Sequence, residues 1–320
     1  MLVDKYQRRI NYLRISVTDK CNLRCRYCMP ETGVEIKSHD GILRWEELLR
    51  MVQAFKDEGV DRVRITGGEP LVRKGLLSFI QDMNMLGFEE ISLTTNGILL
   101  KKMAGELKES GISRINISLD SLDKEKYAWI TRGGDIRKVF QGIDAAFQAG
   151  LEPVKLNVVV VKGFNDDEVM DLALLAKNQP LHVRFIELMP IGAGSIWGAD
   201  SFVSTEETKK QIERLGSLVP AEIIGNGPAE KWRIDGFQGT VGFISAISQH
   251  ICDRCNRVRL TADGRIYPCL HGTNYVSCFN ALRNGDSQEN IKRLIRQVME
   301  IKPREHQLGS QGRMMNTIGG

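Results

Sequence analysis

Six short β-branched or apolar runs alternate with amphipathic stretches over the first 190 residues, and this alternation constrains the fold most. The runs predict strands, and the stretches between them carry apolar residues at helical spacing. The predicted strands are Tyr12–Val17, Arg62–Thr66, Ile91–Thr95, Arg114–Leu119, Lys155–Val161 and Val183–Leu188. The predicted crossover helices are Leu43–Asp57, Leu76–Leu86, Leu99–Ser110, Ile136–Ala149 and Asp167–Lys177. Repeated βα units predict an α/β protein with a parallel sheet.

Six βα units are too few for a closed barrel, which has about eight. We therefore expect a partial (β/α)6, TIM-like barrel over residues 1–195. The βα rhythm breaks after residue 195, so residues 196–320 predict a smaller C-terminal domain that covers the open side. A last helix is predicted near Ser287–Ile301.

The composition narrows the class of partners. Lys and Arg number 44 and Asp and Glu 40, a net charge of +4, which does not indicate a nucleic-acid or membrane surface. The longest apolar run, Val158–Val161, is too short to span a bilayer, and residues 1–6 lack the apolar region of a signal peptide. We expect a cytoplasmic protein with no nucleic-acid and no membrane partner.

Six of the seven cysteines fall into two trios, and Cys278 stands alone as an expected buried thiol. The first trio is Cys21, Cys25 and Cys28, directly after the first predicted strand. Loops that follow parallel strands collect on the face that builds the active site. Three thiolates can hold an iron–sulfur cluster and leave one coordination position open. The alternatives are a zinc site completed by a distant Cys or His, or plain buried thiols.

The second trio is set among arginines. It comprises Cys252, Cys255 and Cys269. A zinc ribbon that lacks one ligand is the simpler interpretation. Arg257 and Arg259 alternate on one face if their segment is extended, as Arg62 and Arg64 do in a predicted strand. Because guanidinium groups suit phosphate, the pattern favours a second open cluster beside an anion site.

Two motifs resemble those of the radical S-adenosylmethionine superfamily. One is the Cys-x3-Cys-x2-Cys spacing with Tyr27 before its last cysteine, and the other is Gly67-Gly68-Glu69-Pro70 after the second strand. Four further segments resemble one particular family within this superfamily. Residues 12–22 (YLRISVTDKCN), 185–190 (FIELMP), 255–260 (CNRVRL) and the final Gly319-Gly320 closely resemble the GTP 3′,8-cyclase family of molybdenum cofactor biosynthesis.

The resemblance implies a set of site residues. One [4Fe–4S] cluster would be held by Cys21, Cys25 and Cys28, and a second by Cys252, Cys255 and Cys269. S-adenosylmethionine would be contacted by Tyr27, Gly68, Ser118 and Met189. GTP would be bound by Arg14, Arg62, Arg64, Thr94, Lys155, Arg184, Arg257, Val258 and Arg259. The tail residues Gly319 and Gly320 would reach into the active site.

The resemblance also implies a reaction and partners. A 5′-deoxyadenosyl radical would remove the 3′ hydrogen of GTP, and C3′ would attack C8 of guanine to give, after reduction, (8S)-3′,8-cyclo-7,8-dihydro-GTP. The product would pass to a MoaC-type cyclic pyranopterin monophosphate synthase. An unidentified electron donor and a homodimer are also expected.

Two rival functions remain open at this stage. A radical S-adenosylmethionine enzyme could use the second cluster on a peptide or another nucleotide. A zinc-stabilised nucleic-acid-binding protein would instead be colourless, and its binding would fall steeply with salt. The arginines around the second trio favour a polyphosphate substrate over a peptide. His271, close to the same trio, is either a hydrogen-bond donor to a ligand or a packing residue.

Overall fold

One twelve-stranded sheet organises the chain in the computed structural model, which describes residues 1–192, 197–222, 227–249, 251–306 and 314–319. The first six strands are β1 (Tyr12–Ser16), β2 (Arg62–Thr66), β3 (Glu90–Thr95), β4 (Arg114–Ser118), β5 (Val154–Val160) and β6 (His182–Glu187). The others are β7 (Leu218–Pro220), β8 (Glu230–Ile234), β9 (Thr240–Ile244), β10 (Arg257–Leu260), β11 (Arg265–Tyr267) and β12 (Val276–Ser277). All six predicted strands are confirmed, with ends that shift by one residue at most.

The helices also follow the predicted order. They are α1 (Trp45–Asp57), α2 (Leu76–Met85), α3 (Leu100–Glu109), α4 (Lys124–Thr131), α5 (Ile136–Gln148), α6 (Val169–Leu174), α7 (Thr205–Ile212), α8 (Phe279–Arg283), α9 (Gln288–Glu300) and α10 (Met315–Ile318). The helix predicted over Asp167–Lys177 is shorter, because only Val169–Leu174 is helical. Among the residues described, no helix is long and apolar enough to cross a membrane.

The middle of the sheet is parallel. The strand order is β12-β11-β10-β1-β2-β3-β4-β5-β6-β9-β8-β7, and the pairs from β10 to β9 are all parallel. Side chains alternate across the sheet. Leu13, Ile15 and Val63 are fully buried in the same core as the α1 side chains Leu48 and Phe55. The opposite face therefore carries the intervening residues, which include the arginines of β1 and β2.

The C-terminal segment extends both edges of the six-stranded sheet. β9 pairs with β6, and β10 pairs with β1, each in parallel. The short strands β7, β8, β11 and β12 continue outward in antiparallel pairs. One sheet thus runs through both predicted domains, and their predicted boundary falls at residues 193–196, outside the described residues. The division into 1–195 and 196–320 stays a prediction.

Glu187 at the end of β6 joins two segments of the C-terminal half, the start of α7 and the loop after β9. Its carboxylate accepts hydrogen bonds from the backbone N–H groups of Thr205, Ile247 and Ser248, at 2.8, 2.8 and 2.9 Å, and from the Ser248 hydroxyl. The side chain is buried, with 3% exposure. Removing it would leave the buried N–H group of Thr205 and the partly buried N–H groups of Ile247 and Ser248 without an acceptor, a costly change.

We expect Glu187→Ala to lower the free energy of unfolding by about 3 kcal/mol, because one buried and two partly buried N–H groups lose their acceptor. Anaerobic urea denaturation followed by circular dichroism measures the change. The matched control is Glu206→Ala on α7, whose exposed carboxylate pairs with Lys210 at 2.9 Å and should cost under about 0.5 kcal/mol. Equal losses in the two variants would contradict this role of Glu187.

Candidate active site

The first cysteine trio lies on a loop that is fastened to α4. The backbone N–H groups of Arg24 and Arg26 donate to the carbonyls of Thr131 and Ile130, at 3.1 and 2.8 Å. Within the loop, the Cys28 N–H donates to the Cys25 carbonyl at 2.9 Å. α4 was missed from the sequence, although Asp123 caps it by accepting from the N–H groups of Glu125 and Lys126. An aspartate that can act as an N-cap could have indicated the start of this helix.

The three thiols of this trio lie close enough to influence one another. Burial raises the pKa of Cys28 to about 12, with the charge of Cys21 adding to the shift. Burial also raises the pKa of Cys25 well above its usual value, and the charges of Cys28 and Asp120 add to it. Because a metal deprotonates a coordinating thiol, iron would compensate the charge of three thiolates that this site disfavours on their own.

The glycine-rich turn after β2 packs against the start of the cysteine loop. The N–H of Gly68 donates to the Thr18 carbonyl at 2.7 Å, and the Glu69 N–H donates to the Lys20 carbonyl at 2.8 Å. A Cβ at Gly68 would overlap the backbone of Lys20 and Asp19. Only glycine therefore allows the two backbones to approach this closely.

The other residues predicted to contact S-adenosylmethionine lie at the carboxyl ends of the strands. The Tyr27 hydroxyl donates to Asp120 at 2.7 Å, and the Val159 N–H donates to the same carboxylate at 2.9 Å. Ser118 ends β4 and is in register with Asn157 of β5. Met189 lines a cavity in the middle of the protein, called the central cavity below, which it shares with the second cysteine trio. Asp120 was not predicted as a site residue. Its position directly after the fourth predicted strand could have indicated it, because residues at that position lie on the active-site face.

The second trio lines the central cavity together with arginines of the sheet. Cys252, Cys255 and Cys269 all face this cavity. Arg14 of β1, Arg64 of β2, Arg184 of β6, and Arg257 and Arg259 of β10 complete its polar wall. His271 also lines it and stacks on His306, with ring centroids 4.3 Å apart. The cysteines of the second trio and these arginines therefore line the same cavity.

Neither trio has the geometry of a single-ion site. Among the residues described, no group of three His, Cys, Asp or Glu side chains is arranged to hold one metal ion. Zinc needs its ligands to converge at about 2.0–2.3 Å from one centre. A cluster has a different requirement, because each cysteine binds a separate iron.

The strand register places three arginines in one row. Arg14 is in register with Arg64 on one side and with Arg259 on the other. Burial lowers the pKa of Arg14 well below its usual value, and the charges of Arg259 and Arg64 lower it further. Buried like charges are costly without an anion. The Nε atom of Arg64 has no hydrogen-bond partner among the described residues, as expected for a group that awaits a ligand.

A second polar group extends this surface toward β4, β5 and β6. The Arg184 guanidinium donates to the Asn116 carboxamide at 2.5 Å. Lys155 is 6% exposed, and burial, followed by the charges of Arg114 and Arg184, lowers its pKa to about 6. Thr94 is in register with Asn116, and its hydroxyl lacks a hydrogen-bond partner among the described residues. Asn116 was missed, although it shares a strand face with Ser118.

Two residues predicted to bind GTP, Arg62 and Val258, are not among the side chains that line the central cavity. Arg62, at the amino end of β2, pairs with the exposed Glu89 at 3.0 Å. Val258 is fully buried in the hydrophobic core, because alternation along β10 turns its side chain away from the face of Arg257 and Arg259. Only the backbone of Val258 is then left to face the cavity.

The C-terminal tail runs from the first trio to the arginine row. The Asn316 N–H donates to the Cys28 thiol, and its side-chain amide donates to the Asp19 carbonyl at 3.0 Å. The Arg259 guanidinium donates to the carbonyls of Ile318, at 3.3 Å, and Gly319. Gly319 has a φ of 69°, and a Cβ there would overlap the Thr66 hydroxyl. Gly320 lies outside the described residues.

Comparisons with known proteins agree with this architecture. The family model described as "Radical SAM superfamily" matches residues 15–176, and that described as "Molybdenum Cofactor Synthesis C" matches residues 181–308. A protein named GTP 3′,8-cyclase from Moorella thermoacetica is 50% identical over 99% of both chains. One of the same name from Heliobacterium modesticaldum is 48% identical over 100% of both.

A solved structure supports the fold independently. The crystal structure of Streptococcus suis SuiB bound to S-adenosylmethionine aligns with a TM-score of 0.61. The alignment covers 90% of this chain and 68% of that one, at 14% identity. At this identity the likeness concerns the fold alone.

We expect Gly319→Ala to release the tail, because its Cβ would overlap Thr66 and its φ is unfavourable for alanine. Hydrogen–deuterium exchange of residues 314–319 should rise at least about tenfold, which corresponds to about 1.4 kcal/mol. The control is Gly87→Ala, which has a similar φ of 71° but nothing within 4 Å of its Cβ, and it should leave the tail unchanged. Unchanged tail exchange in Gly319→Ala would contradict the tight fit.

Proposed function

The chain belongs to the GTP 3′,8-cyclase family of radical S-adenosylmethionine enzymes, and we propose that its central cavity holds GTP between the two cysteine trios. The enzyme converts GTP into (8S)-3′,8-cyclo-7,8-dihydro-GTP, the first step of molybdenum cofactor biosynthesis. S-adenosylmethionine and iron–sulfur clusters are its cofactors. The observation that carries the assignment of the site is the cavity shared by the second trio and the arginines of four strands.

The first trio is the site that we assign to the cluster that binds S-adenosylmethionine. When bound there, the cofactor supplies the radical chemistry that removes the C3′ hydrogen of GTP. Cys21, Cys25 and Cys28 would hold three irons, and the close-packed turn at Gly68 would bring backbone groups to the cofactor. Tyr27, held by Asp120 at 2.7 Å, would fix the cofactor's orientation together with Ser118 and Met189.

The arginine row is the site that we assign to the triphosphate. Arg14, Arg64 and Arg259 share one register position on neighbouring strands, so their guanidinium groups can converge on one polyanion. Arg184, Lys155 and Thr94 would extend this binding surface. The second cluster, on Cys252, Cys255 and Cys269, would then meet the guanine end of the substrate. The buried tail around Gly319 would close the space between them and exclude water.

The remaining partners follow from the reaction. The product would be consumed by a MoaC-type cyclic pyranopterin monophosphate synthase, and an electron donor would reduce the clusters. A homodimer and a cytoplasmic location complete the proposal, in line with the family resemblance. Neither nucleic acid nor a membrane is part of it.

The test is anaerobic incubation of reconstituted protein with S-adenosylmethionine, dithionite and GTP, followed by mass spectrometry. We expect 5′-deoxyadenosine and an isomer of GTP. Cys21→Ala should abolish both products, because the cofactor loses its cluster. Cys269→Ala should reduce the GTP isomer more than 5′-deoxyadenosine, because it damages only the substrate side.

Two outcomes would contradict this assignment. Equal loss of both products in the two cysteine variants would argue against separate roles of the trios. Formation of 5′-deoxyadenosine by fully loaded wild-type protein without any GTP isomer would argue for another substrate. Cys278→Ala is the control, since that thiol is fully buried and donates to the Gly264 carbonyl, away from both trios.

Lys155 gives a prediction of pH dependence. Its pKa of about 6 means that most of it is neutral at pH 7 before GTP binds. The triphosphate would raise this pKa, so binding takes up a proton, and the contribution of Lys155 to affinity falls as the pH rises above 6. We expect the ratio of Kd for Lys155→Met to Kd for wild type to fall by up to about tenfold between pH 6 and pH 8.

Calorimetry in buffers of different ionisation enthalpy measures the proton uptake directly. At pH 7.5, wild-type protein should take up more protons on GTP binding than Lys155→Met does. Lys177→Met, which replaces an exposed lysine after α6, is the control and should match wild type. Identical proton uptake in all three proteins would refute a role for Lys155 at the triphosphate.

A further inference from the structure

Lys302, just after α9, is a lysine with almost no solvent exposure, at 1%. Its ammonium donates to the Pro268 carbonyl at 2.6 Å and to the Arg257 carbonyl at 2.9 Å. The third acceptor is the sulfur of Cys255, at 3.6 Å. Three acceptors match the three N–H groups of an ammonium, whereas a neutral amine has only two. Lys302 therefore has one acceptor for each N–H group of an ammonium.

The acceptors belong to the two loops that carry the second trio. Arg257 lies two residues after Cys255, and Pro268 directly precedes Cys269. Lys302 thus joins the segments that hold two of the three cysteines. Of its three acceptors, the Cys255 sulfur is the one that belongs to a proposed cluster ligand.

The residues after Lys302 continue along the same trio. The Arg8 guanidinium donates to the carbonyls of Cys252, Pro303 and Arg304, at 2.8, 2.6 and 2.7 Å. The His306 ring nitrogen Nδ1 lies 3.2 Å from the Cys252 sulfur. The segment Lys302–His306 therefore forms a strap over the second trio. Within this strap, Lys302 is the cation that touches a ligand sulfur.

We propose that Lys302 is a positioning residue of the second cluster, which donates to the Cys255 thiolate and makes that cluster easier to reduce. The proposal rests on the function assigned above, in which the second trio holds a cluster. One electron from an external reductant adds one negative charge to the cluster, and no proton moves. A fixed cation beside a ligand sulfur stabilises the reduced state more than the oxidised state. Hydrogen bonds to the sulfurs are known determinants of cluster potentials.

Two substitutions separate the charge of Lys302 from its packing. Lys302→Met removes both the charge and the donors but keeps a long side chain, and Lys302→Gln keeps donors without the charge. Lys292→Met on α9 is the control, because that lysine pairs with Asp57 at 2.9 Å and lies outside the strap. All proteins are full-length and reconstituted anaerobically, with iron and sulfide measured per chain.

The readout is a dithionite titration of both clusters, monitored by electron paramagnetic resonance. We expect the reduction equilibrium of the second cluster to shift about tenfold toward the oxidised form in both Lys302 variants, which is about 59 mV for one electron. The first cluster and the Lys292→Met protein should keep wild-type potentials. If Lys302→Met does not assemble its second cluster, the reduction potential of that cluster in Lys302→Gln tests the proposal instead.

Two results would overturn the proposal in different ways. A fully loaded Lys302→Gln protein with a wild-type potential at the second cluster would refute the role of Lys302 and leave the proposed function intact. Wild-type protein with iron for only one cluster per chain would refute both. Equal shifts at the two clusters would show a general loss of structure and would also refute the proposal.

Discussion

The side-by-side packing of Arg14, Arg64 and Arg259 is the constraint on which the rest of the site depends. Parallel register fixes the three residues in one row, and alternation turns them away from the core that α1 covers. Buried cations this close repel one another and are tolerated only where an anion offsets them. The row therefore supports the proposal that the sheet holds a polyanion. β10 supplies the third arginine of the row from a segment more than 190 residues away in sequence.

Much of this was predictable from local pattern. The six central strands and the positions of the first trio followed from hydrophobic alternation and cysteine spacing, because both are properties of neighbouring residues. The pairing of β10 with β1 was not predictable, since it depends on contacts between distant segments. The same holds for Lys302, whose acceptors come from two loops. Val258 and Arg62 show the limit of a motif, which identifies a segment without giving the direction of each side chain.

The tail and the strap show how segments of the C-terminal half contact the two cysteine trios and the arginine row. Asn316 contacts the first trio, Gly319 contacts Arg259 of the row, and Lys302 contacts Cys255 of the second trio. Each contact joins a late segment to an element that carries a proposed cluster ligand or a proposed substrate-binding residue. The edge strands β9 and β10 have the same effect on a larger scale, because they widen the six-stranded sheet into an eight-stranded parallel wall. Assembly of the site thus requires the whole chain to fold.

The central claim is that the two trios hold separate clusters and that the substrate approaches the second. Electron paramagnetic resonance of the reduced Cys21→Ala protein, which would retain only the second cluster, tests this most directly. The account predicts that GTP changes the spectrum of this cluster, whereas S-adenosylmethionine leaves it unchanged. A spectrum that responds to S-adenosylmethionine but not to GTP would contradict the account.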